Sequence, residues 1–213
     1  MIANFIDGPL WYFSLFVFFA GVMLRLGSII FSKHKVDLSV ARGPEAPGAF
    51  RTIFSRFLPD KGMYPHIKLQ VIAGYIFHLG LFAVIFFAAP HIKFFDEHFL
   101  GFSWTALPHW GFIFAAQLAF LGLILLWLQR VINPVSRLIS KTGDHISSIL
   151  TFIVLLTGCL ALLESFSSLR LLHRFSVELF LIYFPFSSLM HAFTFIPSRA
   201  FTGAWFGRRG IKS

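Results

Sequence analysis

The chain has 213 residues, of which 57% are hydrophobic and only 13% are charged, and its formal net charge is +9. Soluble domains carry about 25% charged residues, so this composition excludes a water-soluble fold and predicts an integral membrane protein. In such a protein, basic residues are expected in cytoplasmic loops, and the charge does not indicate a nucleic-acid partner. The single cysteine, Cys159, cannot form an internal disulfide, a cysteine-based zinc site or an iron–sulfur site.

Five apolar segments have roughly the ~20 residues that crossing a bilayer requires. They cover residues 10–31, 68–89, 110–129, 145–163 and 169–196. Pro90 and Pro197 are expected to end the second and the fifth segment, because proline interrupts helical hydrogen bonding. The first segment is too long for a cleaved leader and lacks a basic region before it, so we expect it to be retained. The sequence predicts one all-α membrane domain, residues 1–213, with five transmembrane helices.

Basic residues are concentrated in the loops on one side of these helices. Fourteen lie between the first and second helices, between the third and fourth, and in the C-terminal tail: Lys33, Lys35, Arg42, Arg51, Arg56, Lys61, Lys68, Arg130, Arg137, Lys141, Arg199, Arg208, Arg209 and Lys212. The other side has only Lys93, Arg170 and Arg174. Since cytoplasmic loops are enriched in Lys and Arg, the N-terminus is predicted outside and the C-terminus inside.

The cytoplasmic loop 32–67 is the largest feature outside the predicted helices. Within it, residues 48–58 repeat apolar side chains at helical spacing with basic ones between them. This pattern predicts a short amphipathic helix, which would lie either at the membrane interface or in a surface that docks a partner protein.

Three histidines lie inside the apolar segments. His173 and His191 are 18 residues apart, which is five turns of an uninterrupted helix and about 27 Å along its axis, so both would project from one face. His78 lies in the second segment, at the predicted depth of His191. Polar side chains at membrane depth are usually functional, and pairs of neutral imidazoles are suitable axial ligands for haem iron. His78 with His191 therefore predicts an inner haem in the helix bundle; the alternative is that each imidazole only bonds a backbone carbonyl.

His173 would belong to a second, outer haem, and His91 is the candidate for its other ligand. On an ideal helix, His91 would be about 140° away from the face of His78, a poor geometry unless Pro90 redirects the chain. His98 and His109 are predicted on the same side and could substitute. His145 is interpreted as an interfacial residue at a helix start, while His34 and His66 carry no clear signal.

Three stretches resemble a known family. They are Phe77-His78-Leu79-Gly80, the segment from Asn133-Pro134 to Asp144, and the segment from Leu172-His173 to Phe184-Pro185-Phe186-Ser187-Ser188-Leu189-Met190-His191. Together with the five-helix layout, they resemble the gamma-subunit-like membrane cytochrome b family of respiratory nitrate reductase. That family includes the membrane subunits of heterodisulfide reductase and of a sulfite-reduction complex.

The resemblance implies a cytochrome b of a prokaryotic cytoplasmic (inner) membrane with one or two b haems. Such a subunit exchanges electrons between a quinone, menaquinone or ubiquinone, and a cytoplasmic iron–sulfur partner. His78 and His191 match the inner-haem ligands of the family, and His173 matches one outer-haem ligand. The position of the other outer ligand, ten residues after His78, is occupied here by Ala88. Either His91 takes over, or another ligand does, or the outer haem is absent.

Two other classes of function remain as alternatives. A haem-free membrane anchor for a peripheral enzyme would need the helices but not the histidines. A transporter would show broken helices with Gly/Pro pairs in repeated halves of the sequence, and no such repeat is evident.

Overall fold

The structure is a computed structural model that describes residues 1–32, 38, 40–59, 62–162 and 167–211. Some residues used in the sequence predictions lie outside that part: His34, Lys33, Lys35, Lys61 and Lys212. The described residues are helical with connecting turns and contain no strand. In chain order the helices are α1 (Ile2–Phe5), α2 (Trp11–Ile30), α3 (Glu45–Ser55), α4 (Tyr64–Phe87), α5 (Ala89–Phe95), α6 (His109–Ile132), α7 (Pro134–Ile139), α8 (Thr142–Ala161), α9 (Ser167–Tyr183) and α10 (His191–Arg208).

The prediction of an all-helical protein is confirmed for the described residues, and several of the helices are long and apolar enough to cross a membrane. Four stretches of the described chain are long and apolar enough to cross a bilayer: Ile2–Ile30, Tyr64–Phe87, His109–Ile132 and Thr142–Ala161. The first includes a π-helical turn, Ile6–Leu10, that joins α1 to α2. A bent pair of helices near the C-terminus could supply a fifth span. Which side each terminus faces stays a prediction.

The prediction of one continuous fifth helix over residues 169–196 is wrong. Helix α9 ends at Tyr183 and is followed by two short 3-10 turns, Phe184–Phe186 and Ser188–Met190. The axes before and after this break differ by 77°. Helix α10 then continues through Pro197, which was expected to end the segment. The 18 residues between His173 and His191 are therefore not five turns of one helix.

The break has a local cause in Pro185 and Ser187. Proline has no backbone N–H and crowds the preceding turn, so it disrupts a helix interior. Ser187 is extended, with φ −115° and ψ 174°, and its hydroxyl accepts from the Leu189 amide at 3.2 Å. The same hydroxyl donates to the Phe184 carbonyl at 2.9 Å. Ser187 thus caps the turn that leads into α10.

By its contacts, the chain divides into two compact units. The first contains Met1–Pro65 and Val177–Ser213, and the second contains His66–Ser176. In the first unit, the Phe18 ring of α2 makes edge contacts with Phe184 and Phe193, at centroid distances of 5.3 and 5.9 Å. Edge-to-face arrangements of this kind are favourable for aromatic rings.

Helix α3 packs on α10 in the first unit through small residues. Thr52 is fully buried, and a side chain at Gly203 would lie 2.5 Å from its hydroxyl oxygen. Gly48 and Gly207 are in similarly close contact, so the two backbones approach as in small-xxx-small helix pairs. The predicted amphipathic helix exists, but it runs over Glu45–Ser55, starting and ending three residues earlier than expected. One of its faces is occupied by α10.

The second unit is organised around α4 and α6, which also meet through small residues. A side chain at Gly80 would lie 2.6 Å from both the Ala115 oxygen and the Ala119 nitrogen. The core at this contact consists of Phe77, Ala119, Leu123 and Leu155. This packing fixes the position of the C-terminal end of α4, where the candidate site begins.

Candidate functional site

Helix α4 ends abruptly at Phe87, inside the predicted second span. Ala88 is extended, with φ −73° and ψ 132°, and α5 starts directly after it with Pro90 in its first turn. Proline is well suited to a first helical turn because the N–H that it lacks would have no partner there. The chain therefore changes direction at Ala88, which is the redirection that a role for His91 requires.

The break leaves the last four carbonyls of α4 without partners in their own helix, as at every helix end. All four accept hydrogen bonds from the segment that follows. The Val84 carbonyl accepts from the Ala88 amide and from the His91 imidazole, which also donates to the Ile85 carbonyl. The Phe86 carbonyl accepts from the Trp104 indole, and the Phe87 carbonyl accepts from the Leu107 amide. These contacts are 2.7–3.2 Å long. Irregular backbone at membrane depth is tolerated when its polar groups are satisfied in this way.

The imidazole of His91 folds back onto this helix end. Its Nδ1 lies 3.2 Å from the Val84 oxygen and 3.1 Å from the Ile85 oxygen. Carbonyl oxygens only accept hydrogen bonds, so Nδ1 carries the proton of the neutral ring. Nε2 then carries the lone pair, which is the form of histidine that binds a metal.

His173, on α9, is held in a cluster of hydroxyl groups. Its Nδ1 lies 3.2 Å from the Thr157 hydroxyl of α8, and that hydroxyl lies 2.8 Å from the hydroxyl of Ser176. Ser176 also donates to the His173 carbonyl at 2.8 Å. Gly158, the neighbour of Thr157 on α8, also approaches the imidazole: a side chain there would lie 3.0 Å from its Cε1 atom, so the ring would have to move to make room for it.

His91 and His173 come together within the second unit. Their ring centroids are 6.3 Å apart, and their planes are inclined by 23°. A metal ion bound between two Nε2 atoms, with bonds of about 2.0 Å, would hold the two centroids roughly 6 Å apart. Two half-buried imidazoles from different helices thus have the separation of a pair of axial ligands.

This donor set fits haem iron, for which two neutral imidazoles are suitable axial ligands. Each ring has one nitrogen engaged by a hydrogen bond, as metal-bound histidines usually do. Among the described residues, no group of three or more His, Cys, Asp or Glu side chains could hold a metal ion.

The other two predicted ligands belong to different units. In the second unit, Nδ1 of the half-buried His78 lies 2.7 Å from the Gly74 oxygen in the same helix. In the first unit, Nδ1 of the exposed His191 lies 2.8 Å from the Ser188 oxygen, at the start of α10. In both residues the carbonyl contact therefore leaves the lone pair on Nε2. The predicted pairing of His78 with His191 stays a prediction.

The remaining histidines lie at helix ends or on the surface. His98 is exposed, with Nδ1 3.1 Å from the Phe94 oxygen. His109 and His66 are exposed in the first turns of α6 and α4. His145 is half-buried in the first turn of α8, where the Asp144 carboxylate accepts from the Lys141 amide at 2.9 Å and so caps the helix.

Sequence reasoning missed Thr157, Gly158 and Ser176. All three are small or polar residues inside apolar segments, and Ser176 follows His173 by one helical turn. That spacing was a signal, because a hydroxyl one turn from an intramembrane histidine can bond within the same helix. The position of Thr157 beside His173 depends on how α8 and α9 pack, and spacing along the chain gives no information about that.

Comparison with known proteins finds a relative that matches nearly the whole chain. A protein of Nitratidesulfovibrio vulgaris (strain Hildenborough) is 30% identical over 210 residues, which cover 93% of this chain and 91% of the relative. The chain belongs to the same family as that protein. The relative is named only "Protein", so the relationship says nothing about the activity of either protein. No protein-family model and no solved structure matches the chain.

Proposed function

We propose that this chain is the b-type cytochrome membrane subunit of a respiratory oxidoreductase complex. It would transfer electrons between quinol or quinone in a prokaryotic cytoplasmic membrane and a cytoplasmic iron–sulfur partner. The observation that carries this proposal is the opposition of His91 and His173 at 6.3 Å, from α5 and α9. A purely structural role explains one nitrogen of each ring but not why the two rings lie at the separation of an axial ligand pair.

In this proposal, His91 and His173 would hold the outer haem, while the pairing of His78 with His191 at an inner haem rests on the sequence pattern alone. Haem bound there would supply the one-electron transfer. The protein orients the imidazoles and encloses them in apolar helices. The Val84 and Ile85 carbonyls fix the ring of His91, and the hydroxyl cluster fixes the ring of His173.

The chain cannot complete an electron path into the cytoplasm alone. It has one cysteine, so an iron–sulfur cluster must belong to a partner. The predicted cytoplasmic side carries the basic loops, and α3 with α10 lies among these basic residues. This side is where the partner would bind.

The test is a dithionite-reduced minus oxidised spectrum of the purified full-length protein in nanodiscs, with extracted haem quantified per chain. We expect two non-covalent b haems in the wild type. His91→Ala and His173→Ala should each lose one haem, and the double variant should lose no more than either single variant. His98→Ala is the matched control, because His98 is an exposed histidine close to His91 in sequence, and its haem content should be unchanged.

Two results would contradict the proposal in different ways. A folded wild type without haem would exclude the cytochrome and leave the haem-free membrane anchor. One haem that survives both His91→Ala and His173→Ala but not His78→Ala would leave a cytochrome with the inner site alone.

A further inference from the structure

Thr157 is a buried hydroxyl whose contacts extend beyond its own helix. It is 6% exposed and lies four residues before the end of the apolar helix α8. Thr151, one and a half turns earlier, is also 6% exposed, and its hydroxyl donates to the Ser147 carbonyl at 2.8 Å. This bond to the preceding turn is the usual arrangement of threonine in apolar helices. Thr157 makes the same kind of bond and in addition contacts His173 and Ser176 on α9.

The single hydrogen of the Thr157 hydroxyl has carbonyl partners in its own helix. The Ile153 oxygen lies at 2.9 Å and the Val154 oxygen at 3.1 Å. Ser176 donates its own hydrogen to the His173 carbonyl, so the Ser176 oxygen is a further acceptor for the Thr157 hydrogen. Whichever of these acceptors receives that hydrogen, the Thr157 oxygen is left to accept from His173. The contact of 3.2 Å to His173 is then an Nδ1–H···O bond, with the imidazole as donor. The acceptors around the Thr157 hydroxyl thus favour the tautomer of His173 that is protonated at Nδ1.

Ser176 and Gly158 hold this arrangement in place. Ser176 is 7% exposed and connects the Thr157 hydroxyl to the backbone of α9 at the His173 carbonyl. Gly158 limits the movement of the imidazole edge on the side of α8. The ring of His173 is therefore held at Nδ1 and along the edge that contains Cε1.

We propose that Thr157 is a positioning residue that directs the Nε2 lone pair of His173 toward the haem held with His91 and lowers the midpoint potential of that haem. This inference rests on the proposed function, since it concerns the same site. A hydrogen bond at Nδ1 makes an imidazole a more basic ligand, and a more basic ligand favours ferric over ferrous iron. Without the hydroxyl, the imidazole keeps the Val154 carbonyl as a hydrogen-bond partner but loses the Thr157 acceptor at Nδ1.

The experiment is a redox titration of the full-length protein in nanodiscs, followed by optical spectroscopy and by electron paramagnetic resonance of the ferric haems. Thr157→Val replaces the hydroxyl by a methyl group of similar size. We expect a more positive midpoint potential for one haem only, a changed ferric signal and little loss of haem. Thr157→Ser should restore the wild-type values, because it restores the acceptor. Thr151→Val, at equal burial on the same helix, should change neither the potential nor the signal.

The outcomes separate this inference from the proposed function. Wild-type protein that binds no haem overturns both. Haem with an unchanged potential and signal in Thr157→Val overturns the inference and leaves the cytochrome in place. A shift that Thr151→Val reproduces, or that Thr157→Ser does not reverse, overturns it as well, because the hydroxyl would not be the cause. If Thr157→Val does not fold, Thr157→Ala replaces it and is judged by the same criteria. Ser176→Ala keeps the Thr157 acceptor, so it should shift the midpoint potential less than the Thr157 variants do.

Discussion

Gly21 and Pro185 are in such close contact that a side chain on Gly21 would lie 2.5 Å from Cβ and 2.7 Å from Cγ of the proline ring. The contact joins the middle of α2 to the residue at which the last long helix breaks. Pro185 is buried, so the ring that interrupts the helix is also the surface on which α2 rests. The bend and its packing partner are therefore one structural element.

Gly21→Ala should destabilise the protein by about 1–3 kcal/mol, because overpacking against a rigid ring forces the two helices apart. Gly27→Ala, on the same helix, is the control, since a side chain there would meet only Phe31 at 3.8 Å. The gain in helix propensity of up to about 1 kcal/mol should leave Gly27→Ala as stable as the wild type or slightly more stable. Thermal unfolding midpoints in one detergent would decide, and equal midpoints for the two variants would disprove the close contact.

Gly80→Ala should also lower stability, since its new methyl group would meet backbone atoms of α6 that have no rotamer by which to move away. Gly74→Ala, on the same helix, has nothing within 4 Å of the added atom and should be tolerated. Displacement of α4 would also move the helix end that orients His91. We therefore expect Gly80→Ala to reduce both the unfolding midpoint and the haem content. If Gly80→Ala keeps the unfolding midpoint and the haem content of the wild type, α4 and α6 are packed less closely than the contacts of Gly80 indicate.

Arg199→Lys should loosen α3 although it keeps the charge. Arg199 donates from Nη1 to the Ile53 carbonyl at 3.0 Å, and its guanidinium lies 4.5 Å from the centroid of the Phe57 ring. Lysine reproduces neither the planar donor geometry nor the stacking. We expect faster hydrogen–deuterium exchange in residues 45–55 and a loss of about 1–3 kcal/mol.

The control for Arg199 is Arg208→Lys. Arg208 pairs with Glu45 at 2.8 Å, and the carboxylate side chain is 53% exposed. A pair that is exposed to this extent contributes at most about 1 kcal/mol, so exchange in α3 should change little. A larger effect at Arg208 than at Arg199 would mean that the ion pair, and not the guanidinium under Phe57, holds α3 on α10.

Trp104→Phe should weaken the end of α4. The indole donates to the Phe86 carbonyl at 2.7 Å, and phenylalanine keeps the ring but lacks the N–H. A carbonyl left without a donor away from water costs about 1–3 kcal/mol. Trp110→Phe is the control, because Trp110 is 74% exposed. Unfolding midpoints in nanodiscs should fall for Trp104→Phe alone; no difference between the variants would show that water reaches this carbonyl.

The apolar segments could be predicted because hydropathy and length decide which helices span a bilayer. The redirection at Ala88 was also accessible, since Pro90 marks a helix start. The break at Phe184–Met190 was not predicted, although Pro185 and Ser187 are residues that favour a helix break. The spacing of 18 residues favours a continuous helix, whereas the local chemistry of proline and serine favours a break. In the structure the local chemistry decides.

Contacts between helices were less predictable. The small residues Gly203 and Gly207, four apart, are a known helix-packing pattern, but the sequence does not name their partner on α3. The approach of His91 to His173 is another contact that the sequence does not predict. Ideal helix geometry placed His91 on an unfavourable face, and only the structure shows that a short helix after the break turns it toward α9.

The satisfied carbonyls at the end of α4 have a consequence for the lipid around the protein. A helix whose end needs water must reach the bilayer surface, so its length must match the hydrocarbon thickness. Helix α4 has no such need, because its last four carbonyls are bonded by residues 88–107 of the chain itself. Its end can lie below the headgroups of a thick membrane or level with those of a thin one. Hydrophobic mismatch at this helix should therefore leave the position of His91 unchanged when the acyl chains of the membrane are lengthened or shortened.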